Sequence, residues 1–216
     1  MLCLFCQNAD ISQTLDGDEI DAEQLADIFL TLQASGCHNI NLVSPTHVLL
    51  PILSALTIAA AQGLRLPLVY NTGGYDSLEA LKLLDGVVDI YMPDMKYASA
   101  QTARFYSKAP IYPQVNQFAL REMHRQVGDL QLDSNGLAIR GLLVRHLILP
   151  HNLAGSEEIV RFLAEEISTE TYLNLMNQYH PAYKAAQFVK LNRRITPAEY
   201  QSALQAARDA GLHRGF

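Results

Sequence analysis

The stretch His38-Asn39-Ile40-Asn41-Leu42-Val43 alternates polar and apolar side chains, ends before Pro45, and is followed by the apolar run Leu49 to Gln62, closed by Gly63. A period of two predicts a strand, and the longer run stopped by glycine predicts a helix, so the segment reads as one βα unit. The unit recurs in Leu68-Val69-Tyr70 with a helix over Ser77–Leu84, and in Val88-Asp89-Ile90-Tyr91-Met92 with a helix starting near Ser99. Upstream, Asp21 to Ser35 places Leu25, Ile28, Phe29 and Leu32 at helical spacing before Gly36, which predicts a surface helix. Downstream, Pro113 suits the first turn of a helix over Gln114–Val127, and Asp133-Ser134-Asn135-Gly136 has the chemistry of a hairpin turn. The rhythm resumes with a strand over Leu142–Leu149, a helix over Ser156–Ile167, a strand over Tyr172–Met176 and a helix over Pro197–Ala210. Short apolar strands alternating with helices predict an α/β fold with a parallel sheet. Five core strands are too few for a closed barrel of eight, which leaves an open doubly wound sheet or a partial TIM-like barrel. Both architectures put chemistry at the carboxyl ends of the strands, and residues 1–216 read as a single domain.

With 49% hydrophobic and 18% charged residues, the chain can bury a core and is neither disordered nor fibrous. Sixteen Lys and Arg against 22 Asp and Glu give a net charge of −6, which disfavours nucleic acid and anionic membranes as partners. The longest apolar stretch, Val48 to Ala61, is interrupted by Pro51, Ser54 and Thr57 and is too short for a bilayer of roughly 30 Å, so no membrane span is expected. Without a secretory signal after Met1, the expected location is the cytoplasm.

Sorting polar residues by strand end brings His47, Asn71-Thr72-Gly73-Gly74, Asp94, Lys96, His151-Asn152 and Asn177 to His180 to one rim. Three cysteines argue against a disulfide framework. Cys37 precedes a strand, hence the opposite rim, and reads as a small buried hydrophobe. Cys3 and Cys6 form a Cys-x-x-Cys pair, a spacing that serves redox, zinc or iron–sulfur chemistry. His47, His151 and His180 with Asp94 could make a divalent metal site of a TIM-like hydrolase, although no close His pair supports it. His124, inside a helix, and His146, inside a strand, read as structural. Lys190, Arg193 and Arg194 read as a solvated loop, with an acidic partner surface as the alternative.

Taken in order, Cys3-Leu4-Phe5-Cys6-Gln7-Asn8, Ile11-Ser12, Asn71-Thr72-Gly73-Gly74-Tyr75, Asp89 to Lys96 and Leu175-Met176-Asn177-Gln178-Tyr179 resemble the radical S-adenosylmethionine (SAM) superfamily. Within it the chain resembles the pyruvate formate-lyase activating enzyme group over essentially its whole length. The resemblance implies a partial βα barrel holding a [4Fe–4S] cluster on Cys-x3-Cys-x2-Cys, with Cys3 and Cys6 as metal ligands in the second and third positions. It implies SAM as a cofactor, with Asn71, Thr72, Asp94 and Lys96 binding SAM or, as the alternative, a monovalent cation. The implied activity is cleavage of SAM to a 5′-deoxyadenosyl radical, the implied partners a glycyl-radical protein and an electron donor.

Two departures accompany the match. The family's first cysteine and first strand would precede Met1, so the chain is expected to be an N-terminally shortened relative whose cluster is labile. The glycine-rich stretch after the family's second strand has no counterpart at Val43-Ser44-Pro45-Thr46-His47. These departures open an alternative: a non-catalytic relative that keeps the fold without a stable cluster.

Overall fold

The computed structural model describes residues 1–14 and 17–216. Five strands, β1 (Ile40–Val43), β2 (Leu68–Thr72), β3 (Ile90–Pro93), β5 (Ala138–Leu147) and β6 (Tyr172–Met176), pair in parallel in the order β1-β2-β3-β5-β6. The short β4 (Gln131–Leu132) pairs antiparallel with the first half of β5 through a turn at Asp133–Gly136, while β6 pairs with the second half of the same strand. The hairpin explains why β5 begins four residues before the sequence pattern suggests. Gly141 permits the change of partner within β5. Its φ is +119°, and a Cβ there would stand 2.4 Å from the Asp129 carbonyl oxygen.

The helices follow the expected order. They are α1 (Ala9–Thr14), α2 (Ala22–Ala34), α3 (Leu49–Ala61), α4 (Leu78–Leu83), α5 (Ala100–Ser107), α6 (Tyr112–Val127), α7 (Ser156–Phe162) and α8 (Pro197–Asp209). Their starts are set by side-chain caps. Asp21 and Gln24 cap α2 reciprocally, Thr196 and Glu199 do the same for α8, and Ser77 and Ser99 accept from Ala80 N and Thr102 N. Helix α7 continues as a π-helical turn over Leu163–Ile167, and α1 lies in the polar start for which no helix is expected. No helix among the described residues is long and apolar enough to cross a membrane.

The period of two within each strand divides the core. Tyr70, Tyr91, Leu142, Val144, Leu173 and Leu175 face the helices and pack with Leu81, Leu120, Met123, Ile159, Leu163 and Leu204. Val69, Ile90, Met92, Leu143 and Tyr172 face the other, concave side. Continuing along that side toward the carboxyl ends come Asn71, Asp94, Arg145 and Asn174, with Asp94 opposite Arg145 and Arg145 opposite Asn174. The floor of the concave face is therefore apolar and its rim polar. The outer edge of β6 is covered by the C-terminal residues, Leu173 N donating to Arg214 O at 3.1 Å.

Candidate functional site

The rim is organised around Asp94, whose side chain is 10% exposed. Lys96 Nζ lies 2.5 Å from its Oδ2, and Arg145 approaches Oδ1 with Nε at 2.9 Å and Nη2 at 2.7 Å. Two cations on one carboxylate leave a net positive charge at the mouth of the concave face. Burial works against the Lys96 ammonium, but Asp94 beside it, together with the nearby Cys3 side chain, outweighs burial and holds its pKa above the ordinary lysine range.

The loop carrying Asp94 and Lys96 is pinned from both sides. Met95 N donates to Arg145 O at 2.8 Å, and Met95 O accepts from the buried His146 ring at 2.6 Å. From α6, the Tyr112 hydroxyl accepts from Lys96 N at 3.0 Å and directs its one hydrogen between Gly73 O and Asp94 O, each at 2.9 Å. One helical turn later, Asn116 Nδ2 donates to Gly74 O at 2.9 Å and Asp94 O at 3.0 Å, while its Oδ1 is buried and without a partner among the described residues. Tyr112 and Asn116 are both fully buried and tie the loop after β2 to the loop after β3. Gly74 allows this approach, because with φ at +72° its Cβ would lie 2.2 Å from Asn116 Nδ2.

The N-terminal cysteines come to the same rim. Cys6 N donates to Cys3 O at 3.2 Å, a tight turn, and Phe5 between them is buried edge-on against Tyr97 and Tyr179. Ser107 donates from Oγ to Cys3 Sγ at 3.1 Å and lies 2.6 Å from the Tyr97 hydroxyl. Cys6 Sγ lies 3.4 Å from Ser12 Oγ. Cys37 occupies the turn between α2 and β1, at the opposite, amino-terminal end of the strands.

The other expected residues divide. Asn71 faces the concave side with Val69 and Met92. Thr72 faces the helices, and its hydroxyl donates to Asp76 Oδ2 at 2.7 Å. Asp76, 2% exposed, also accepts from Thr46 at 2.6 Å and from Tyr70 at 3.3 Å. The structure does not gather His47, His151 and His180 around Asp94. His47 turns back to Ser44 O, His151 sits in a left-handed conformation after β5 with its N bonded to Glu199, and His180 lies 3.4 Å from Gln7 Nε2. Among the described residues no group of three or more His, Cys, Asp or Glu could hold a metal ion. The hydrolase arrangement therefore has no site. The same test bears on an iron–sulfur cluster: the turn offers two thiols, so a cluster on three thiolates needs a ligand from outside the described residues.

The fold resembles that in a crystal structure of a domain of pyruvate formate-lyase-activating enzyme from Bacteroides vulgatus. The TM-score is 0.57 with 11% identity, over 82% of this chain and 97% of that one. The chain shares that domain's fold. It is also 30% identical over 220 residues to an uncharacterized protein of Methanocaldococcus jannaschii, covering 97% of the chain. The chain spans about 60% of the length of that curated relative. No protein-family model matches it. The expected α/β architecture with a mostly parallel sheet is thus borne out, and a partial barrel is consistent with it.

Proposed function

We propose that the chain is the SAM-binding partial barrel of a radical SAM activating enzyme, which generates a 5′-deoxyadenosyl radical to abstract hydrogen from a glycine of a partner protein. One observation carries the reading: the Asp94–Lys96–Arg145 constellation lies at the carboxyl rim beside the Cys3–Cys6 turn, on an activating-enzyme fold. Cys3 and Cys6 would hold a [4Fe–4S] cluster in part, and such a cluster would supply the electron that cleavage of the SAM sulfonium needs, drawn from a separate donor.

In this reading Cys3 and Cys6 contribute two thiolates. Lys96 binds the SAM carboxylate while Asp94 holds its ammonium in place. Asn71, on the same face, would offer its amide to the ligand. Asn71 is the oxygen ligand left for a monovalent cation, since the Thr72 hydroxyl is engaged with Asp76 and Gly74 N and both Asp94 oxygens are paired with Lys96 and Arg145. Tyr112 and Asn116 fix the two loops so that these groups meet the ligand without rearrangement, and Phe5, Tyr97 and Tyr179 exclude water beneath the cysteine turn.

The test is anaerobic reconstitution with iron and sulfide, followed by iron analysis and visible absorbance. The 216 residues are expected to bind a substoichiometric, labile cluster that is lost in Cys3→Ala and Cys6→Ala and kept in Cys37→Ala. A cluster that survives loss of both thiols would remove them from the site. No cluster under any condition would favour a non-catalytic relative with the same fold.

A further inference from the structure

An acidic chain here carries a basic face. Against a net charge of −6, residues 95–121 and 171–198 contain no Asp or Glu, while they carry Lys96, Arg104, Lys108, Arg121, Lys184, Lys190, Arg193 and Arg194. Lys96 pairs with Asp94, Arg121 with Glu166 and Arg193 with Glu199. Arg104, Lys108, Lys184 and Lys190 are exposed and make no ion pair among the described residues.

The two acid-free segments meet at the cysteine turn. Leu2 N and Leu4 N donate to Ser107 O and Tyr106 O at 3.0 and 2.9 Å, and Lys184 N donates to Leu4 O at 3.0 Å. Residues 2–4 thus stitch the end of α5 to the loop after β6, with Cys3 in the middle of the stitch. Across the same junction the Phe188 ring stands edge-on to Phe105 at 5.8 Å and to Tyr106 at 6.1 Å. The apolar side chains here remain open to water: Phe105 is 60% exposed, Val189 91%, Tyr183 48% and Leu2 47%. Lys184 Nζ lies 4.9 Å from the centre of the Tyr183 ring.

We propose that this face, formed by Leu2, Phe105, Tyr183 and Val189 within a rim of Arg104, Lys108, Lys184 and Lys190, docks a protein partner that presents acidic side chains around an apolar one. An apolar centre with a charged rim is the anatomy of a protein–protein interface, and aromatic and arginine side chains are what such interfaces enrich. The rest of the acidic surface repels an acidic partner and this face attracts it, so the charge distribution selects the orientation of approach. A nucleic acid would need open ring faces for stacking, whereas Phe105 is packed edge-on against two neighbours. A membrane would favour one amphipathic helix, whereas these apolar side chains stand on three separate segments. The inference rests on the proposed radical chemistry for what the partner is brought to, namely the Cys3–Cys6 turn, but its test needs no cluster.

The probes are a short synthetic peptide of Asp and Glu around Phe and Leu, and its counterpart with Lys at every acidic position. Binding to the protein is read by fluorescence anisotropy and by amide shifts in NMR. The acidic peptide is expected to bind and the basic one not. Shifts should centre on residues 2–4, 104–108 and 183–190, and binding should weaken as salt shortens the Debye length from about 30 Å at 0.01 M to about 8 Å at physiological strength. Lys108→Glu with Lys184→Glu should weaken binding by about tenfold or more, and Phe105→Ser should weaken it without changing the salt dependence. Lys82→Glu, on α4, should leave it unchanged, and unaltered melting temperatures show that the variants fold. Equal binding by the double charge reversal, shifts elsewhere, or binding only to phosphatidylglycerol vesicles or only to duplex DNA would each overturn the proposal. Peptide binding by a protein that takes up no iron would leave the docking face standing and sink the radical chemistry instead.

Discussion

Arg145 reaches across the sheet from β5 so that Nε and Nη2 both address a single oxygen, Oδ1, of Asp94, at 2.9 and 2.7 Å. Lys96 holds the other oxygen, so each oxygen of the carboxylate meets a cation, one from the loop after β3 and one from β5. The arrangement predicts coupling. Arg145→Met leaves a largely buried Asp94 less compensated, and Asp94→Asn leaves two cations facing each other, so each single change should lower stability. The double variant should cost less than the sum, by about 1–3 kcal/mol in a double-mutant cycle of chemical denaturation. Additive effects would mean that the two residues do not act as a unit.

The Tyr112–Asn116 clamp makes a sharper demand at Gly74. A Cβ at that position would lie 2.2 Å from Asn116 Nδ2 and 2.3 Å from the backbone oxygen of Asp94. Gly74→Ala should therefore cost more than about 2 kcal/mol, through both φ strain and overpacking. Adding Asn116→Ala should fail to restore it, because the Asp94 carbonyl stays in place. Full rescue by Asn116→Ala in thermal unfolding would show that only the side chain opposes the Cβ.

Much of this fold is legible in the sequence because each strand and helix is marked by its own period and its own stop. Gly36, Gly63 and Gly128 end helices where the pattern breaks, and four of the five parallel strands fall where apolar runs follow a helix, β5 following the β4 hairpin instead. The site is legible only where chemistry sits just past a strand end, as in Asp94 and Lys96. Arg145 lies inside β5 between Val144 and His146, so only its charge within an otherwise apolar run signals that it points into the concave face. Asn116 reads as an ordinary helical residue and Tyr112 lies just ahead of the expected helix, since their role depends on which loops α6 crosses. Thr72 turns the other way from its neighbour: Asn71 faces the concave side, and the period of two sends Thr72 to Asp76.

His146 predicts a pH dependence. Its Nδ1–H donates to Met95 O and its Nε2 accepts from Ser156, and burial pushes its pKa down to about 4. An unfolded histidine takes a proton as pH falls through about 6.5, while the folded one stays neutral until about 4. Between these values the unfolded state binds more protons, so this group removes stability as pH falls, by at most about 1.4 kcal/mol per pH unit. His146→Gln should lower stability at neutral pH by about 1–3 kcal/mol through lost hydrogen bonds. Its denaturation free energy should nevertheless fall less steeply than the parent's between pH 6.5 and 4. Parallel pH profiles for the two proteins would exclude His146 as the source.

Lys96 carries the last prediction, because it separates a ligand-binding role from a structural one. Its ammonium is paired with Asp94 yet stands at the rim, where a SAM carboxylate could share it, and its backbone N is already held by Tyr112. Lys96→Ala should therefore keep the loop in place while removing a charge-assisted hydrogen bond to the ligand, typically worth about 1.5–3 kcal/mol, or tenfold and more in affinity. Lys82→Ala, on the exposed side of α4, is the control and should be silent. Calorimetric titration of SAM into anaerobically reconstituted protein decides the matter. Equal affinity for parent and variant removes Lys96 from the site, whereas a variant that melts markedly lower without a change in affinity assigns the Asp94–Lys96 pair to stability alone.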